Sequence, residues 1–179
     1  LKPYLWFSMH DMTPNVIAKK RAVYCHNSSP FYEMSNLEKK LDKRLRLFNI
    51  FYKYLYKINI KKNNFIVVQQ DWLRGEFKKL YKVEKVIVAY PNIEIEKNVS
   101  EIESVKEGKI IFFYAAFPRV FKNFEIICEA AKHFEYRNDI EFIITINGTE
   151  NNYSRYLYER YGKLKNLKFI GSISREKVF

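Results

Sequence analysis

Polar and apolar positions alternate along this chain in two rhythms. Short apolar runs of strand length, Tyr4 to Met9, Arg21 to Cys25, Phe65 to Gln69 and Lys85 to Ala89, are separated by stretches where apolar residues recur every three or four positions. Thr13-Pro14 gives a cap and first-turn signal that predicts a short helix through about Lys20. The longest helical pattern runs from Leu37 to about Lys61, with Leu37, Leu41, Leu45, Phe48, Tyr52 and Leu55 forming one stripe and Asn63-Asn64 closing it. A second amphipathic helix is predicted from Asp71 to Tyr81.

Tyr90-Pro91-Asn92 marks a break, and the following stretch to Gly108 loses large apolar periodicity while carrying seven charged residues of mixed sign. It reads as an interdomain linker. Beyond it the rhythm resumes: a strand at Ile110 to Tyr114, a loop with Pro118, Arg119 and Lys122, a helix from about Asn123 to Glu135, and a strand at Ile140 to Ile146 that stops at Asn147-Gly148. A helix from Asn151 to Gly162 and a strand from Leu167 to Ile170 follow. Strands alternating with helices define an α/β class of two Rossmann-like lobes, each an incomplete parallel sheet with flanking helices. The lobes are expected at 1–92 and 109–179, with the linker at 93–108. The chain opens without Met on an apolar segment and closes just after a helix-start signal, so it reads as a fragment lacking both chain ends.

Composition adds core-forming capacity, with an apolar fraction of 47% that includes 15 Phe and 14 Tyr. No run approaches the ~20 apolar residues of a spanning helix. Cys25 and Cys128 fall in different predicted elements, which argues against a disulfide framework and fits a reducing cytoplasm. The net charge of +12 predicts attraction to polyanions: nucleic acid, an anionic membrane face or phosphorylated ligands. The Leu37 to Lys61 helix is therefore either a core helix with a solvated basic face or a membrane-surface helix.

In open α/β sheets, ligands sit beyond the carboxyl ends of strands. Arg119 and Lys122 fall at such an edge, beside a helix start whose free N–H groups favour an anion; the alternative is a pair of solvated loop cations. His26, Asn27 and Ser28 follow another strand and offer a donor or acceptor contact, or else a capped turn. His10-Asp11 is weaker, since neighbours along a strand point to opposite faces. Gly148 and Gly171 permit close approach of a ligand or serve as turn residues. No Gly-x-Gly-x-x-Gly, Walker loop, Gly-x-Ser-x-Gly elbow, zinc-ligand spacing or Asp-x-Asp occurs in the sequence, so no metal or cofactor is expected.

The segments FYAAFPRVFKNFEIICEAAK, IEFIITINGTE and LKFIGSISREKVF, with Lys122-Asn123, Ala130-Ala131, Gly148, Phe169-Ile170-Gly171 and Ser174-Arg175-Glu176, resemble the C-terminal half of group 1 (family 4) retaining glycosyltransferases of the GT-B fold. Val67-Val68-Gln69-Gln70-Asp71-Trp72 and Tyr90-Pro91-Asn92 resemble the family's segment before the crossover. The resemblance implies metal-independent, retaining transfer of a sugar from a nucleoside diphosphate sugar to a saccharide or lipid-linked saccharide acceptor. The setting it implies is surface polysaccharide or lipopolysaccharide assembly. The chain is expected in the cytoplasm, and peripheral at the inner face of the plasma membrane if the membrane-surface reading of 37–61 holds rather than the core-helix one. It assigns the donor diphosphate to Lys122. The family's companion Arg falls at Phe117 here, leaving Arg119 as its loop substitute. The cleft between lobes is the implied site, closing about the linker. The family's Glu-x7-Glu pair is expected beyond Phe179, so catalytic residues are unknown and this piece alone is expected to be inactive; Glu76 and Glu84 share the spacing by coincidence. Two other readings remain: a basic RNA-binding α/β module, although no specific nucleic acid is expected, and a non-catalytic accessory lobe of a polysaccharide-assembly complex.

Overall fold

Parallel strands in the computed structural model, which describes residues 2–92 and 108–174, pair into two separate sheets. The first has the order β1 (Leu5–Ser8), β2 (Lys20–Cys25), β3 (Phe65–Val68), β4 (Val86–Val88), and the second β5 (Ile110–Tyr114), β6 (Ile140–Ile144), β7 (Leu167–Phe169). The chain divides into two compact units, Leu1–Met34 with Lys43–Lys97, and Ser35–Asp42 with Asn98–Phe179. Of the linker expected at 93–108, residues 93–107 lie outside the described residues, as do Arg175 and Glu176 of the expected helix start at Ser174-Arg175-Glu176.

The first sheet is held in register by Leu5 opposite Lys20, Val23 opposite Ile66 and Val68 opposite Val88. Its helices are α2 (Lys43–Lys57) and α3 (Asp71–Tyr81). Val23, Cys25, Ile66 and Val68 from the strands meet Tyr52 and Tyr56 from α2 and Leu73, Phe77 and Tyr81 from α3. Phe77 is fully buried, and truncating such a side chain to Ala costs about 3–5 kcal/mol. Both tryptophans of the chain, Trp6 and Trp72, belong to this unit.

Two helical expectations fail here, each for a visible reason. The residues after Thr13-Pro14 form no helix. Thr13 is buried, and instead of capping it accepts hydrogen bonds from Asn63 Nδ2 on its hydroxyl (2.6 Å) and from Asn59 Nδ2 on its carbonyl (3.2 Å). These bonds hold the connection extended. The single helix expected over 37–61 is two: α1 (Asn36–Leu41) and α2, broken at Asp42, whose φ of −128° and ψ of 77° leave helical space. A capping box starts α1, with Ser35 Oγ accepting from Glu38 N (3.2 Å) and Glu38 Oε2 from Ser35 N (2.6 Å). The buried face also shifts. Leu45, Asn49, Tyr52 and Tyr56 point inward, while Leu37 and Phe48 of the expected stripe are exposed.

The second sheet pairs Ile110 with Ile140 and Ile144 with Phe169. Its helices are α4 (Phe124–His133) and α5 (Asn152–Tyr161); Phe124, Cys128, Ala131, Leu157 and Tyr161 of the helices are buried, as are Phe142 and Ile144 of β6. Asn123 enters α4 from a left-handed conformation, φ 50°. The edge strand β5 is open, with Ile110, Ile111, Phe112 and Phe113 each between 43% and 52% exposed, as the edge strand β1 is at Leu5, Trp6 and Phe7. Strands of parallel sheets are ordinarily covered on both faces. Both cysteines are free and buried, and no helix among the described residues is long and apolar enough to cross a membrane.

Candidate functional site

The second unit places a pocket of about 260 Å³ at the carboxyl edge of its sheet. The loop after β5 supplies Ala115, Ala116, Phe117 and Pro118; Thr145, Glu150, Ser172 and Ile173 complete the lining. Side chains from neighbouring elements hold that loop. Thr145 Oγ1 accepts from Ala116 N (3.0 Å) and donates to Ala116 O (3.3 Å), while Asn151 Nδ2 donates to Pro118 O (2.6 Å). Asn151 also caps α5, its Oδ1 accepting from Ser154 N at 2.9 Å. One residue thus ties the pocket rim to a helix start.

Arg119 and Lys122 lie in this loop, exposed, and neither lines the pocket. Arg119 sits 5.2 Å from the Phe117 ring and Lys122 Nζ 5.8 Å from the Phe121 ring. Among the described residues neither cation has a carboxylate within ion-pair distance. The start of α4 is less open than the sequence implies. Phe124 N donates to Tyr153 Oη (3.0 Å), and Tyr153 in turn donates to the carboxylate of Glu125 in the first turn. Burial, with help from Glu125, pushes the Tyr153 hydroxyl above its ordinary range, so it stays protonated.

Glu150 is a residue that motif reading passes over. Its Oε1 accepts from Asn147 N (2.7 Å) and its Oε2 from Gly148 N (3.1 Å). Partial burial opposes ionisation, but these backbone N–H groups and Ser154 outweigh it and hold the carboxyl below its usual range. The sequence signal was available in the Asn-Gly-x-Glu spacing of a turn. Gly148 has φ 91°, and a Cβ there would fall 2.6 Å from Tyr158 Cβ. Close packing of α5 on the turn accounts for this glycine.

In the first unit the strand ends meet at Asp11. Its side chain is nearly inaccessible, with Oδ1 accepting from His26 N (2.9 Å) and Tyr56 Oη (2.8 Å) and Oδ2 from Tyr52 Oη (2.8 Å). His26 Nδ1 lies 3.3 Å from Oδ1. The strand-alternation argument against His10-Asp11 does not apply, because both lie past the end of β1 and Asp11 turns into the left-handed region, φ 49°. Burial, reinforced by the Asp11 charge, raises the hydroxyls of Tyr52 and Tyr56, so both remain donors. The His26 ring stacks 5.8 Å from both His10 and Tyr24. Asn27 is committed to the turn: its N–H donates to Tyr56 Oη (3.1 Å) and its Oδ1 accepts from Ser29 N (2.9 Å). Ser28 is exposed at the start of the short turn Ser29–Phe31.

Sequence spacing gave no metal-ligand set, yet folding brings ligand atoms of His10, Asp11 and His26 within 4.8 Å of one another. Two hydroxyls and a backbone N–H already hold the Asp11 carboxylate, so the cluster is built as a hydrogen-bond hub.

Two consecutive α/β units, each with a parallel sheet and flanking helices, define a GT-B-like two-lobe fold. A solved structure with this fold is that of TarM, a glycosyltransferase, which this chain matches with a TM-score of 0.60 at 14% identity over 93% of its own length. The chain spans 31% of TarM. No family model and no curated protein matches the sequence.

Proposed function

We propose that this chain is the core of a glycosyltransferase that takes its sugar from a nucleoside diphosphate donor. The observation that carries the reading is the loop after β5, where two exposed cations, without carboxylate partners among the described residues, stand beside a pocket at the carboxyl edge of a parallel sheet. Departure of a nucleoside diphosphate builds negative charge on its oxygens, and a group that stabilises the leaving charge better than the bound donor accelerates transfer. Lys122 takes that role and Arg119 assists from the same loop. The half-exposed His26, held at its backbone N–H by Asp11, contacts donor or acceptor hydroxyls. The GT-B-like fold shared with TarM supports the class. Transfer with retention, without a metal, to a saccharide or lipid-linked acceptor of a surface polysaccharide completes the proposal, following the family 4 resemblance.

Calorimetric titration of the full chain with UDP, GDP and ADP tests it. One nucleoside diphosphate is expected to bind, and Lys122→Ala to weaken it about tenfold or more, since a hydrogen bond to a charged group is worth about 1.5–3 kcal/mol. Absence of binding by all three, or equal affinity in Lys122→Ala, overturns the assignment. Salt-dependent binding of single-stranded RNA in their place would favour the nucleic-acid reading.

A further inference from the structure

The inward face of α2 is spent on the core through Leu45, Asn49, Tyr52 and Tyr56. At 3.6 residues per turn, the opposite side of the helix carries Leu47, Ile50, Phe51, Tyr54 and, one residue past its end, Ile58. These are 69%, 49%, 63%, 65% and 51% exposed. A helix flanking a sheet ordinarily turns a charged face outward. Here the outer face is apolar, with a stripe at spacings of four, three and four running through Leu47, Phe51, Tyr54 and Ile58.

Charge frames the stripe. Arg46, Lys53 and Lys57 run along one side and Arg44 along the other, and Lys43–Lys57 contains no Asp or Glu. We propose that α2 is an interfacial helix that docks this chain on an anionic lipid surface, its apolar stripe entering the headgroup and acyl boundary while the flanking cations meet lipid phosphates. Long basic side chains suit this arrangement, because their stems lie along apolar surface as their charges reach outward. The chemistry favours lipid over the other occupants. Of the five exposed residues only Phe51 and Tyr54 carry rings on which bases could stack, while Leu47, Ile50 and Ile58 are aliphatic and suit acyl chains better than nucleic acid. A second copy paired about a two-fold axis would set basic flank against basic flank with no acid between them. The docking surface stands whether or not the chain transfers sugar.

Flotation of the full chain with vesicles of phosphatidylcholine alone, and of phosphatidylcholine mixed with phosphatidylglycerol, tests the proposal. The chain is expected to float with the mixed vesicles and not with the neutral ones. Replacing Arg46, Lys53 and Lys57 with Gln is expected to lower partitioning roughly a hundredfold, each cation near such a surface contributing about 1 kcal/mol. Leu47→Glu with Phe51→Glu is expected to abolish it, and an unchanged far-UV dichroism spectrum shows that the variants still fold. The proposal is overturned if the parent stays with neither vesicle, if it floats equally with both, or if a folded charge or stripe variant floats as the parent does. Sedimentation of the parent as a dimer that the stripe variant converts to monomer would assign the face to a second copy instead.

Discussion

At the scale of single residues, the most consequential group is Asp11, a carboxylate removed from water and compensated by Tyr52, Tyr56 and the backbone of His26. Replacing it with Asn keeps the shape but gives one of the two acceptor positions hydrogens that meet other donors. Asp11→Asn is expected to destabilise the first unit by about 3 kcal/mol, read as a lower urea midpoint by circular dichroism. An unchanged midpoint would mean the hub contributes nothing. The hub was not legible in the chain because it joins residues 41 and 45 positions apart, across a strand, a turn and a helix. The position of Lys122 in a loop before a helix was legible by contrast, since that is a local pattern; its exposure was not.

Elements were read most securely where apolar rhythm and an end signal coincide. The helix expected from Asp71 to Tyr81 is α3 residue for residue, and the strand expected at Ile110 to Tyr114 is β5. The 37–61 pattern misled because helical rhythm continues through Asp42; only the Ser35-x-x-Glu38 box and the backbone of Asp42 show that two helices share it. Its stripe was read in part: Leu45 and Tyr52 face the core as expected, with Leu55 against it, but the buried face turns toward Asn49 and Tyr56 and leaves Phe48 exposed. At the turn between β6 and α5, Glu150 makes a pH-dependent clasp. Its carboxyl is lowered in the folded state, so its stabilisation is complete above the ordinary carboxylate pKa and disappears as pH falls below it through the folded value. The stability of the second unit is expected to drop over that acidic window, and Glu150→Gln to flatten the drop in a pH series of thermal melts. A series with identical slopes would remove Glu150 from the account.

At the scale of the whole molecule, two sheets with separate cores give two units whose stabilities need not move together. Exposed apolar surface is found on both units: a helix face and the edge strand β1 in the first, and the edge strand β5 in the second. The chain's indoles, Trp6 and Trp72, are both in the first unit, so the second is silent in tryptophan fluorescence. In denaturant, emission excited at the indole band will follow the loss of one sheet alone, while amide absorption in the far ultraviolet follows both. Asp11→Asn is expected to shift the emission curve and leave a later amide transition in place. Coincident curves in parent and variant would show instead that the two units melt as one, and every substitution in either could then be followed by the light of a single pair of side chains.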